Sequence, residues 1–416
     1  MAGGKRRVVI TGAGVVTSVG NDLKTTWESL LAGKSGGAPI TRFDTTDFKV
    51  KFACETKGFD PALYMDRKEV KRSDLYTQYA MAASVQAMTD AGLAEGGYDP
   101  LRTGVVIGSG IGGISTFEDQ LKVYLTHGPN RISPFFVPMF IGDIAAGVVS
   151  MRFQAKGPNY AVQSACATSA HAIGDAFRMI AYGDADVMIA GGSEAAVTPM
   201  SIGGFGNMQA HSTRNDSPET ASRPFDATRD GFVLGEGAGI VILEELSHAQ
   251  KRGARILAEI VGYGATGDAY HLTGQPDDHE GLQRAMRRAL EDGGLQPEDV
   301  QYVNAHGTST PLNDPNEIRA IKKVFGAHAT GLNVSSTKSS TGHMLGAAGS
   351  VEAVFTTMAI VHGIIPPTIN YQTPDPECDL DITPNHPVTR EVHAALSNSS
   401  GFGGHNVSIA IRRFTE

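Results

Sequence analysis

Apolar positions along the chain switch between two periods. Short β-branched or apolar runs at residues 7–11, 104–107, 187–190, 256–264, 301–304, 331–335, 394–398 and 407–412 read as buried strands. A further strand follows the glycine turn that opens residues 231–244. Between them, three- and four-residue spacing predicts helices over 22–32, 72–92, 141–151, 246–254, 280–293, 316–325 and 350–362. Gly12-Ala13-Gly14 reads as a turn, residues 132–138 as extended and aromatic, and residues 204–214 as loop. Strands that alternate with helices imply parallel βαβ units and an α/β fold.

Residues 159–183 show the change of period most sharply. Tyr160, Val162 and Ser164 alternate as a short buried strand would, and after Cys166 the positions Ala170, Ile173, Phe177 and Ile180 mark an apolar helix face ending at Gly183. Cys166 therefore sits near a helix N-terminus. Unpaired N–H groups and the helix dipole there favour a thiolate and can hold an oxyanion. A buried structural cysteine is the competing reading of that position alone.

At 416 residues, two packed halves are expected, 1–254 and 255–416. Glycine-rich turns at 108–113 (GSGIGG) and 399–404 (SSGFGG) give a weak repeat signal. The net charge of −9 argues against a nucleic-acid partner. Three cysteines make no disulfide framework and suit a reducing compartment. There is no signal-peptide pattern, and no apolar run approaches the ~20 residues of a membrane span. A cytoplasmic enzyme with no membrane association is the expectation. Gly108, Gly110 and Gly113 match a dinucleotide fingerprint, but no acidic residue follows at the distance a ribose needs, which leaves a nicotinamide oxidoreductase poorly supported. No cysteine pair or HExxH offers metal ligands.

Two histidines stand just after strands, His306 in NAHGTST and His343 in KSSTGHMLG. Strand C-terminal ends form the ligand crevice of parallel α/β sheets, so both can converge on Cys166. The stretches SACATSAHAIGDA, NAHGTST, STKSSTGHMLGAAGSVEA and NSSGFGGHN, with GSGIGG, ISPFFVP, STRND and SRPFDATRDGFVLGEGAG, resemble the β-ketoacyl-acyl-carrier-protein synthases, in particular the synthase II class of bacterial fatty-acid synthesis. The resemblance runs from Arg7 to Arg412.

It implies a thiolase-like fold of two duplicated halves in five α-β-α-β-α layers, usually a homodimer. It implies decarboxylative Claisen condensation, with Cys166 carrying the acyl group and His306 and His343 as Nε–H donors to the enolate of malonyl-carrier. The acyl oxyanion would use the N–H groups of Cys166 and Phe402, and Phe402 would gate the cysteine. Lys338 would pair with Glu352 near Asp314 and Glu317, ordering the pocket. Thr273, Thr308 and Thr310 would meet the phosphopantetheine arm, and Ile111, Phe136 and Phe205 would line the acyl tunnel. Lys68, Lys71, Arg72 and Arg131 would dock an acidic acyl carrier protein. No metal or other cofactor is implied; substrates arrive on the carrier's 4′-phosphopantetheine. Ser400 departs from the family's usual phenylalanine and should loosen the wall behind the gate. A ketosynthase subunit of a type II polyketide system is the alternative. A non-catalytic chain-length partner is disfavoured, because Cys166, His306 and His343 are all present.

Overall fold

The computed structural model describes residues 5–415. Ten strands form one sheet: β1 (Val8–Val16), β2 (Thr103–Gly108), β3 (Asn159–Tyr160), β4 (Val187–Glu194), β5 (Gly237–Glu245), β6 (Ala258–Gly267), β7 (Tyr302–Asn304), β8 (Asn333–Ser335), β9 (Ala394–Gly401) and β10 (His405–Arg412). The order is β8-β7-β9-β10-β6-β1-β5-β4-β2-β3. Read outward from the centre, β1-β5-β4-β2-β3 and β6-β10-β9-β7-β8 are the same arrangement twice. Parallel and antiparallel pairings match as well: β2 is parallel to β3 and β4, and β7 is parallel to β8 and β9. The halves join where Val8–Ile10 of β1 pair with Ala258–Ile260 of β6.

The helices that position the site are α1 (Arg67–Lys71), α2 (Leu75–Asp90), α3 (Ile114–His127), α4 (Phe136–Phe140), α5 (Ile144–Phe153), α6 (Thr168–Tyr182), α7 (Pro199–Asn207), α8 (Glu280–Gly293), α9 (Asn313–Phe325) and α10 (Ala348–His362). Alternate residues of β2, β4 and β5 face opposite ways. Val105, Ile189 and Ile242 pack under α2 and α5, whereas Val106, Met188 and Val241 pack against α6 and α10. α8 and α9 cover the far face of the second half. The layers thus run α-β-α-β-α, and strands covered on both faces read as nearly continuous apolar runs.

The duplication is clearest at α6 and α10. Each is preceded by a 3-10 turn whose first residue is left-handed, Ala165 at φ +50° and Leu345 at φ +44°, and each ends at a glycine of positive φ, Gly183 and Gly363. Cys166 and Gly346 occupy matching positions. The two glycine-rich turns noted in the sequence are not equivalent: GSGIGG follows β2, the second strand of its half, and SSGFGG ends β9, the fourth.

Several expectations change. Gly12-Ala13-Gly14 is not a turn, because β1 runs through it. The glycines admit the outer helix, since a Cβ on Gly12 would lie 2.3 Å from Ala87 O of α2. Gly264 in β6 repeats this against Ala285 O of α8 at 1.9 Å. The strand expected through Tyr160, Val162 and Ser164 is only the exposed pair Asn159–Tyr160, because the chain must turn into the cysteine's 3-10 turn. Residues 132–138 are not extended throughout: α4 begins at Phe136. Part of the supposed loop 204–214 is the end of α7, capped by Thr198. Leu345–His362 is long and apolar enough to qualify as a span, yet 83% of it is buried inside the fold as the central helix α10.

Candidate active site

Cys166 lies in the 3-10 turn ahead of α6, 8% exposed, at the floor of a cavity of about 360 Å³. The end of β9 crosses directly over it. A Cβ on Gly401 would stand 2.5 Å from Ser164 O and 3.1 Å from Cys166 N, so only glycine lets the strand approach so closely. That approach brings the N–H groups of Phe402 and Cys166 onto the sulfur as donors. Burial nevertheless pushes the thiol up to about 12, with Lys338 drawing it down and Glu194 opposing. Burial thus opposes the thiolate that the helix terminus favours.

His306 and His343 line the same cavity, their rings 5.4 Å apart and nearly perpendicular. Glu317 of α9 fixes the first, accepting from the backbone N–H of His306 at 2.9 Å and of Gly307 at 2.8 Å. The backbone N–H of His343 donates to Val233 O at 2.7 Å, and its ring packs against Phe232. Burial first, then the Lys338 charge, holds both imidazoles well below the usual histidine range. Both are neutral.

Lys338 Nζ lies 3.4 Å from His306 Nδ1 and forms a buried ion pair with Glu352. An ammonium can only donate. Nδ1 of His306 therefore accepts, and the ring's proton sits on Nε2. Burial raises Glu352 to about 7 against the pull of Lys338.

Of the other predicted residues, Thr273, Thr308, Thr310, Ile111, Phe205, Ser400 and Phe402 all line the cavity. Thr308 and Thr310 bond to each other through their hydroxyls at 2.9 Å. Phe136 is not among the residues that line the cavity within this chain: α4 stacks it on Phe140, beside Phe117. Asp314 serves a different pair, facing Arg229 at 3.8 Å and accepting from Phe225 N–H at 2.8 Å. Ser400 Oγ donates to Asn406 Oδ1 at 2.9 Å and lies 3.3 Å from His279 Nε2, so the missing ring is replaced by a buried polar network, not by empty space. Lys68, Lys71, Arg72 and Arg131 are exposed. Arg72 stacks on Phe135 at 4.6 Å, which brings α1 beside the segment carrying Arg131. The glycines of GSGIGG wrap a carboxylate, Glu194, which takes the N–H groups a phosphate would need. Sequence reasoning singles out neither Glu194 nor Phe232; an acid in a run of small residues at a strand end was the available signal for the former.

Residues 5–249 match the family described as Beta-ketoacyl synthase, N-terminal domain, and residues 257–372 its C-terminal domain. The chain belongs to the β-ketoacyl synthase family. A relative named 3-oxoacyl-[acyl-carrier-protein] synthase 2 from Coxiella burnetii is 54% identical over 98% of this chain and 99% of its own length. One of the same name from Synechocystis is 52% identical over 99% of each. Among solved structures, a β-ketoacyl synthase from Burkholderia phymatum superposes with TM-score 0.92 at 35% identity, covering 99% of this chain and 100% of that one. A type II polyketide ketosynthase, solved with its acyl carrier protein and bound to a hexaketide, superposes with TM-score 0.92 at 38% identity and the same coverage. The fold shared with these ketosynthases is thiolase-like.

Proposed function

We propose that this β-ketoacyl synthase is a 3-oxoacyl-acyl-carrier-protein synthase that elongates fatty acids by two carbons. The observation that carries this is the single cavity holding Cys166 beneath two N–H donors and a pair of neutral histidines. Acyl transfer exchanges one thioester for another: Cys166 Sγ bonds the acyl carbon, and its proton goes to the departing pantetheine sulfur. The N–H groups of Cys166 and Phe402 hold the tetrahedral oxyanion. Malonyl-carrier then loses CO2, and negative charge builds on its thioester oxygen. His306 donates Nε2–H to that oxygen with His343 beside it. The enolate carbon attacks the acyl carbon, and the Cys166 sulfur leaves as a thiolate that takes up a proton from solvent to restore the thiol. Two neutral donors suit a reaction whose carbanion comes from CO2 loss; a proton-abstracting thiolase needs a further acid–base group.

Acyl groups arrive on the carrier's phosphopantetheine, past Thr273, Thr308 and Thr310, and no other cofactor enters this reading. Halves meeting near residue 254, a homodimer and a cytoplasmic setting belong to it. The homodimer is supported by the exposed edge strand β3 and by the exposed apolar residues Phe135, Val137 and Met151. Relatives named 3-oxoacyl-[acyl-carrier-protein] synthase 2 at 52–54% identity favour elongation over the polyketide alternative, of which the solved type II ketosynthase matches at 38%.

The test is a reconstituted condensation of acyl-carrier with malonyl-carrier, following CO2, 3-oxoacyl product and, by intact mass, an acyl adduct on Cys166. Adduct and product in the parent, with neither in Cys166→Ala, support the reading. A folded protein that takes up no acyl group would overturn it.

A further inference from the structure

β4 ends in Glu194, a fully buried carboxylate facing the back of the cavity wall. Four donors meet it. Oε1 accepts from Ser109 Oγ at 2.9 Å and from the Ile111 N–H at 3.2 Å. Oε2 accepts from the Gly110 N–H at 2.8 Å and the Gly346 N–H at 2.9 Å. Each oxygen thus uses both its lone pairs. Three of these donors belong to the loop after β2, whose Ile111 lines the cavity. The fourth belongs to the loop that carries His343 and Leu345, also at the cavity wall. A Cβ on either Gly110 or Gly346 would come 2.7 Å from Oε2, so both loops fit closely round the carboxylate. The twin position of Cys166 in the second half, Gly346, is thereby tied to the first half.

The carboxylate also bears on the nucleophile. The charged groups acting on the Cys166 thiol are Lys338 and Glu194, of opposite sign, while His306 and His343 are neutral. Burial lifts Glu194 to about 7 despite its four donors.

We propose that Glu194 is a positioning residue that clamps the Ile111 wall of the acyl site to the His343 loop. The clamp rests on the synthase reading; the reactivity of Cys166, whose thiol the Glu194 charge keeps protonated, is a readout that does not. Glu194→Gln replaces one oxygen by an amide group that must face backbone N–H donors. Glu194→Asp keeps the charge and withdraws it by one methylene.

Two measurements on the full-length protein test the clamp. The first is the pH profile of Cys166 alkylation by iodoacetamide, with Cys166→Ala as blank. The second is the ratio of kcat/KM for a long over a short acyl-carrier substrate. E194Q should shift the alkylation profile to lower pH and reduce the ratio about tenfold. E194D should keep the profile and reduce the ratio. An E194Q protein matching the parent in both would overturn the proposal. Should E194Q not fold, an unchanged ratio in E194D overturns the clamp. A shifted alkylation profile in a protein that turns over no acyl-carrier substrate would support the charge coupling while removing the synthase reading, so the two failures are distinguishable.

Discussion

At the residue scale, Lys338 does its work through neighbours. Its ammonium sets the tautomer of His306 and pairs with Glu352, both side chains being buried. Lys338→Met leaves a carboxyl buried without its cation, a change that typically destabilises by about 3–5 kcal/mol. The double change Lys338→Met with Glu352→Leu should recover most of that stability in thermal denaturation, since an apolar pair of similar volume replaces the ion pair. Decarboxylation of malonyl-carrier should stay about a hundredfold down in both, because His306 loses the donor that fixes its proton on Nε2. Recovery of decarboxylation in the double variant would disprove the tautomer argument. His211 presents the opposite case. Its ring lies between Phe205 and Phe232, and neither nitrogen has a hydrogen-bond partner among the described residues. Burial lowers it to about 3, against about 6.5 in an unfolded chain. Between these values the unfolded chain binds a proton that the folded one refuses. The depressed group therefore costs stability progressively as pH falls below about 6.5. His211→Leu should be more stable than the parent, and its advantage should grow by about 2 kcal/mol from pH 8 to pH 5. Chemical denaturation at the two pH values measures this; an advantage independent of pH would contradict it.

At the element scale, the site depends on β9 passing over the turn before α6. Gly401 is the point of contact. Gly401→Ala sets a methyl against the Ser164 carbonyl and moves the Phe402 N–H off the sulfur. Acylation of Cys166, followed by intact mass, should slow by about a hundredfold or more, the usual loss for one oxyanion donor. An unaltered rate would mean that the Phe402 N–H is not used. The same contact explains what was legible beforehand. The strand-to-helix change at Cys166 shows in residue period alone, and so does the placing of His306 and His343 after strands. Close approaches between elements do not show. Gly12 and Gly14 look like a turn because period-two reading cannot see α2 lying against them. Ser400 looks like a lost ring until β10 brings Asn406 beside it and α8 brings His279. Phe136 carries an aromatic signature suited to a tunnel, and within this chain α4 stacks it on Phe140. Glu194 has no motif, and its four donors come from loops remote from it in sequence.

At the scale of the whole molecule, charge is distributed against its average. The chain carries −9 overall, yet Lys68, Lys71, Arg72 and Arg131 are exposed on one face, gathered by the stacking of Arg72 on Phe135. An acidic carrier approaching from afar meets net repulsion. Within a Debye length of about 8–10 Å the local patch dominates. Docking there should therefore be short-ranged, orientation-selective and weakened by salt. Lys68→Glu with Lys71→Glu should raise KM for carrier-bound substrate about tenfold or more and leave kcat nearly unchanged, because neither residue lines the cavity. The rise of KM with salt seen in the parent should flatten in the variant. A free pantetheine thioester, which needs the cavity but not the patch, should be turned over equally by both. Equal losses on free and carrier-bound substrates would place the defect in the cavity, and a variant with unchanged KM and salt dependence would move the docking face elsewhere.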